Sequence, residues 1–256
     1  MRITADLHTH TTFSHGRNTI EEMVDRARAL ELAAIAISDH GRSHPLYGVK
    51  PRHFRKMRAI IDDLNVKYDD IQIYLSVEAN IIGADGTIDI GEEERRYCDF
   101  IYAGYHWVYV PKGFRDFFTL KLRNYLTRIC PWMTKRTRAA NTRCYLAMLD
   151  RYDLKMITHP GDKCPIDVVA VAKKAAEKHV ILEINPRHHH LNAEELRQVM
   201  GFSGRFAINS DAHSVDRVAD VAPAIDAAMA AGVPVAQIVN AEASGRAAEK
   251  SERKLK

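Results

Sequence analysis

Seven short apolar runs recur along the 256 residues, separated by segments of helical periodicity, and this alternation restricts the fold more than any single motif. The runs lie at 2–7, 33–37, 71–75, 99–103, 154–158, 180–184 and 206–209. Between the first two, Thr19 and Glu22 form a capping-box start, and Ile20, Met23, Val24, Ala27 and Leu30 follow at helical spacing. Helices are likewise expected near 54–66, 166–178 and 218–231, and Asp85-Gly86 marks a small hairpin within 81–90. Strands alternating with helices predict an α/β fold with a parallel sheet. Closed into a barrel, such a sheet puts every C-terminal strand end on one face, where active sites of barrels sit.

Six of the seven runs lead into a ligand-grade side chain: His8 and His10, His40, Glu78, His106, His159, and Asp211 with His213. The sixth leads into Asn185 instead. In an extended chain, side chains two apart share a face, so His8 and His10 can grip one ion. A single His-x-His pair means little in a chain with 13 histidines, and His188/His190 form another, which follows the sixth run and so faces the site, though a solvated loop is the favoured reading. The weight lies in six strand ends converging on one cup. His44, His53 and His179 read as surface residues, and Asp39 as an orienting carboxylate rather than a ligand.

Imidazoles and carboxylates without thiolate suit Zn²⁺, Mn²⁺ or Fe²⁺. Adjacent cations of this kind acidify a bound water and neutralise phosphoryl oxygens, so no protein nucleophile is needed. No GxSxG elbow occurs in the sequence. A phosphate substrate needs further positive charge, and Arg17, Arg42, Lys163 and Arg187 lie in loops beyond strand ends, Arg187 being the first choice.

The pieces Asp6-Leu7-His8-Thr9-His10, Ser38-Asp39-His40-Gly41, Val77-Glu78-Ala79-Asn80, Gly104-Tyr105-His106, Thr158-His159-Pro160-Gly161 and Ser210-Asp211-Ala212-His213 span almost the whole chain. In this order they resemble the polymerase and histidinol phosphatase (PHP) family of metal-dependent phosphoesterases, and they are similar to its single-domain YcdX-like phosphatases. The resemblance implies a distorted seven-stranded (β/α)7 TIM-like barrel holding two or three divalent metal ions. By the same resemblance His8, His10, Glu78 and Asp211 would hold a first ion. Glu78, His106 and His159 would hold a second, and His15, His40 and His213 a third. A hydroxide held among Glu78, Asp211 and His159 would attack the phosphoester. Two features depart from the family pattern: the loop from His10 to His15 is one residue shorter, and the segment 111–143 is longer.

That segment carries nine basic side chains against the single acid Asp116, interleaved with Phe114, Phe117, Phe118, Tyr125 and Trp132. It admits three readings: a lid, a single-stranded nucleic-acid groove, or an insertion packing on the barrel. The whole chain has a net charge of only +4, too little to argue for nucleic acid by itself. The expected substrate is a small phosphorylated metabolite or nucleotide, histidinol phosphate among the candidates. The alternatives are a 3′–5′ exonuclease or other phosphodiesterase, and a metal-stabilised interaction module. Residues 1–240 read as one domain and 241–256 as a charged tail. Four cysteines without paired spacing, no signal-like N-terminus and no run of about 18 apolar residues suggest a reduced, cytoplasmic protein without a membrane span. Nothing in the sequence sets an oligomeric state.

Overall fold

The computed structural model describes residues 1–188, 190–202 and 204–243. Seven strands run parallel in strict sequential order: β1 (Ala5–Thr9), β2 (Ala34–Ile37), β3 (Gln72–Asn80), β4 (Phe100–Gly104), β5 (Met156–Ile157), β6 (Ile181–Ile184) and β7 (Phe206–Ile208). The expected α/β barrel is therefore what the chain forms. The principal helices are α1 (Ile20–Ala29), α2 (Pro51–Lys67), α3 (Thr134–Arg151), α4 (Val168–Glu177), α5 (Ala193–Val199) and α6 (Ala222–Ala231). Among the described residues no helix is long and apolar enough to cross a membrane.

Local chemistry explains the helix starts. Thr19 accepts from the Glu22 amide and Glu22 reaches back to the Thr19 amide, the reciprocal cap expected from the sequence. Pro51 opens α2, which needs no N–H there, and buries Phe54, Met57, Ile61 and Leu64 against the sheet at i, i+3, i+4 spacing. Helix α6 begins at Ala222, four residues later than expected, because Val215–Arg217 form a short 3₁₀ turn first.

The barrel is closed by side chains more than by a ladder. Between β7 and β1 the backbone contributes a single parallel bridge, Thr9 with Ala212. The buried Asp6 carboxylate accepts from the Ser210 amide and hydroxyl and from the Ala219 amide. Asn240 donates to the carbonyls of both Ala5 (2.8 Å) and Ile208 (2.6 Å), and Asn209 accepts from the Leu7 amide. The distortion of the barrel is this seam.

Arg2–Ile3 and Ala241–Glu242 form a two-stranded antiparallel ribbon, closed by an Arg2–Glu242 ion pair at 2.9 Å. Ala241 and Glu242 thus belong with the ordered structure rather than with the expected tail, because ladder and ion pair both hold them. The remainder of that tail, 244–256, lies outside the described residues.

The hairpin after β3 pairs Ile81 with Ile88, and Gly86 turns it at φ +80°, where a β-carbon would stand 2.5 Å from the Met148 amide nitrogen of α3. The 111–143 segment is helical: Phe114–Asp116, a π-turn over Phe117–Leu122 and Arg123–Thr127 precede the 3₁₀ turn Pro131–Met133, which leads directly into α3. It packs on the hairpin, where Asp116 accepts from the Ala84 amide, and on the loop after β5, where Asn141 donates to the Pro165 carbonyl.

Phe54 is fully enclosed between α2 and the sheet. Phe54→Ala should cost about 3–5 kcal/mol in a denaturant titration, with the midpoint falling and the slope unchanged.

Candidate active site

Each strand end delivers its side chain for a local reason. His8 lies within β1 and faces the lumen, where the Tyr102 ring meets it edge-on at 6.3 Å. His40, three residues past β2, is held beside Glu78 by a parallel bridge. Glu78 is near the end of β3, paired with Tyr102 of β4. His106 and His159 each lie two residues beyond their strands, and Asp211 and His213 follow β7.

Glu78 is the hub. Its Oε1 lies 2.8 Å from His159 Nε2 and 3.2 Å from His106 Nε2. Its Oε2 lies 3.1 Å from His40 Nδ1, 3.5 Å from His8 Nε2 and 3.6 Å from His10 Nε2. Asp211 Oδ1 is 3.1 Å from His10 Nε2 and 3.8 Å from His8 Nε2. Burial would push the Glu78 carboxyl upward, but His106 and His8 outweigh it and hold the pKa well below the usual range.

The nine ligand-type residues meet in three overlapping groups. His8, His10 and Asp211 form one, His40, Glu78 and His106 a second, and His10, His15, His40 and His213 a third, with donor atoms in each group within 4.8 Å of one another. His159 joins the second through Glu78. The shortened loop does not displace His15, whose ring stacks on His40 at 4.8 Å and meets His213 at 4.2 Å. Burial, with His40 and His213 nearby, pushes the His15 pKa down to about 3, and burial brings His106 to about 4. Their lone pairs are therefore free at neutral pH.

The donor set fits cations. Imidazole nitrogens of His8 and His10 face each other at 3.1 Å. His106 and His159 turn their Nε2 atoms to Glu78, and their buried Nδ1 atoms have no hydrogen-bond partner. So many imidazole nitrogens gathered around only two carboxylates are costly unless positive charge sits among them.

Asp39 accepts from the Thr11 amide and the hydroxyls of Thr11 and Ser14, and so fixes the loop that carries His15. Glu183 was not anticipated. Fully buried within β6, it accepts from His8 Nδ1 at 2.8 Å, the His159 amide at 2.9 Å and Asn209 at 3.0 Å. One carboxylate thereby aims the His8 ring, presenting its Nε2 to the cup, and pins the backbone at His159. His188 is not a solvated loop residue: it lies 3.0 Å from Asp162 and 3.7 Å from Asp211, with its ring 4.8 Å from that of His159. Burial opposes its charge, but the Asp162 and Asp211 carboxylates prevail and lift its pKa to about 9. His44 is half-buried, stacked on His40 at 5.5 Å.

The cationic candidates divide. Arg187 reaches His213, Nη1 to Nδ1 3.4 Å, at the mouth of the cup. Exposed Arg17 is anchored there by its amide, which donates to the His213 carbonyl. Arg42 pairs with Glu94 at 3.3 Å, and Lys163 with Asp162 at 2.7 Å. Two of the site residues sit in left-handed backbone, His159 at φ +30° and Asp211 at φ +53°.

The model of the PHP domain matches residues 6–219. The chain belongs to the PHP family. A probable phosphatase of Syntrophotalea carbinolica is 30% identical over 250 residues, covering 94% of this chain and 92% of that protein. The probable phosphatase YcdX of Escherichia fergusonii is 28% identical, covering 92% and 89%. Among solved structures, histidinol phosphate phosphatase of Lactococcus lactis, complexed with zinc, L-histidinol and phosphate, superposes with a TM-score of 0.58 at 15% identity, covering 91% and 94%. A likeness at that identity establishes the shared PHP barrel.

Removing the Glu183 carboxylate from this PHP site leaves a buried imidazole and a buried amide unpaired. Glu183→Ala should therefore cost about 3 kcal/mol or more in thermal or denaturant unfolding, whereas Glu183→Gln should cost less.

Proposed function

We propose that this PHP protein is a metal-dependent phosphatase that hydrolyses phosphomonoesters of small metabolites or nucleotides. The observation that carries the reading is the convergence of nine ligand-type residues around Glu78 on one barrel face. Family membership and relatives named as phosphatases support the same class of chemistry.

In this reading His8, His10, Glu78 and Asp211 hold one divalent ion, Glu78 with His106 and His159 a second, and His15, His40 and His213 a third. Zinc, manganese and iron all suit these donors. When bound, such ions supply an acidified water and neutralise phosphoryl charge. The chain's own part is placement. Glu183 keeps His8 aimed and pins the backbone at His159, and Asp39 fixes the loop bearing His15. Arg187, at the rim beside His213, is positioned to take a non-bridging phosphoryl oxygen, with Arg17 next to it. In this reading water displaces the alcohol directly at phosphorus, giving alcohol and inorganic phosphate.

Purified protein supplied with Mn²⁺ or Zn²⁺ should release phosphate from p-nitrophenyl phosphate, and a chelator should abolish it. Glu78→Gln and His40→Ala should each lower kcat/KM by at least about a hundredfold while far-UV circular dichroism remains native. Digestion of single-stranded DNA without monoester turnover would favour the phosphodiesterase alternative. A native fold with metal bound but neither activity would favour an interaction module.

A further inference from the structure

A second cavity, of about 470 Å³, opens beside the cup between the helical segment and the loop after β5. Its walls include Trp107, Asn124, Arg128, Lys163 and Pro165. Trp107 directly follows His106, and Asp162 and Lys163 lie just beyond His159, so two candidate ligand loops form its near side. One imidazole separates it from the cluster: His188 touches the cavity-lining Asp162 with Nδ1 (3.0 Å) and faces Asp211 with Nε2 (3.7 Å). The opening is thus adjacent to the place where a phosphoryl group would sit.

The charges in this cavity are unevenly committed. Asn124 is bound to Asn141 and the Leu120 carbonyl, and Thr127 to the Arg123 carbonyl and Thr137. Lys163 is paired with Asp162. Arg128 rests over the Trp107 ring, 5.4 Å from its centroid, and has no carboxylate within 4.0 Å among the described residues. Tyr125 buttresses the same ring edge-on at 6.2 Å. An arginine laid on an aromatic face, still free to form two hydrogen bonds, suits a carboxylate or phosphate attached to a planar or apolar body.

The geometry points to this cavity as the leaving-group pocket, with Arg128 selecting phosphomonoesters whose alcohol portion carries a second anionic group next to an apolar one. The inference rests on the phosphatase reading and names the substrate class that reading leaves open. The helical segment then supplies specificity rather than chemistry: the phosphoester is hydrolysed in the cup, and the freed alcohol, still anionic at its far end, departs past Arg128.

A matched pair of aryl phosphates tests this: 4-carboxyphenyl phosphate against 4-methylphenyl phosphate, assayed with the metal-loaded full-length enzyme. The carboxylate should raise kcat/KM by about tenfold, the scale of one charge-assisted hydrogen bond, chiefly through KM. Arg128→Ala should erase that ratio, Arg128→Lys should keep part of it, and Arg128→Glu should reverse it in favour of 4-(aminomethyl)phenyl phosphate. Arg138→Ala, an exposed arginine of the same segment outside the cavity, should leave the ratio as it was. A wild-type ratio near one, or a ratio that survives Arg128→Ala, would overturn the pocket while turnover of both esters upholds the phosphatase. Absence of turnover of either ester would overturn both.

Discussion

The arrangement depends on the carboxylate of Asp6. It belongs to the first strand, yet its partners, Ser210 and Ala219, follow the last one. A parallel barrel with seven strands must join its two edges somewhere, and here the backbone contributes almost nothing to that joint. Buried and without a cation, Asp6 is held by three donors and costs desolvation that only their combined geometry offsets. If the seam opened, Asp211 and His213 would swing away from His8 and His10, and the cluster would lose its shared centre. Fold closure and site assembly are therefore the same event in this molecule.

Glu78 plays the complementary role from the opposite wall. Five imidazoles from four different strand ends lie within 3.6 Å of its two oxygens. Such a carboxylate cannot be exchanged for a neutral group without leaving several rings facing one another, which ties the site's electrostatics to a single side chain. Glu183 carries the same logic one layer deeper, so a column of buried carboxylates organises the histidines from below.

Much of this was legible in the sequence, because an apolar run followed by a histidine or acid is a local signal and the barrel makes it convergent. What escaped was non-local or hidden inside a run. Glu183 interrupts Ile181-Leu182-Glu183-Ile184, and a lone charge in a buried strand demands a partner; that signal was present but lay within the strand rather than after it. His188 looked like loop because its anchor, Asp162, is remote in sequence. The stitches from Asn209 and Asn240 join residues some 200 positions apart, and no spacing rule announces them. The segment 111–143 reads in the sequence as a basic, aromatic addition, and in the structure it is helical. The bound at 143 falls inside α3, because the basic run continues into that helix without a break.

The left-handed backbone at His159 and Asp211 has its own consequence. Aspartate and histidine enter that conformation more readily than most side chains, yet relative to glycine each still stores on the order of 1 kcal/mol of local strain. The barrel must spend part of its folding free energy to keep these two groups aimed. Selection for thermal robustness alone would therefore drift toward glycine at both positions, relaxing the chain and silencing the cup together.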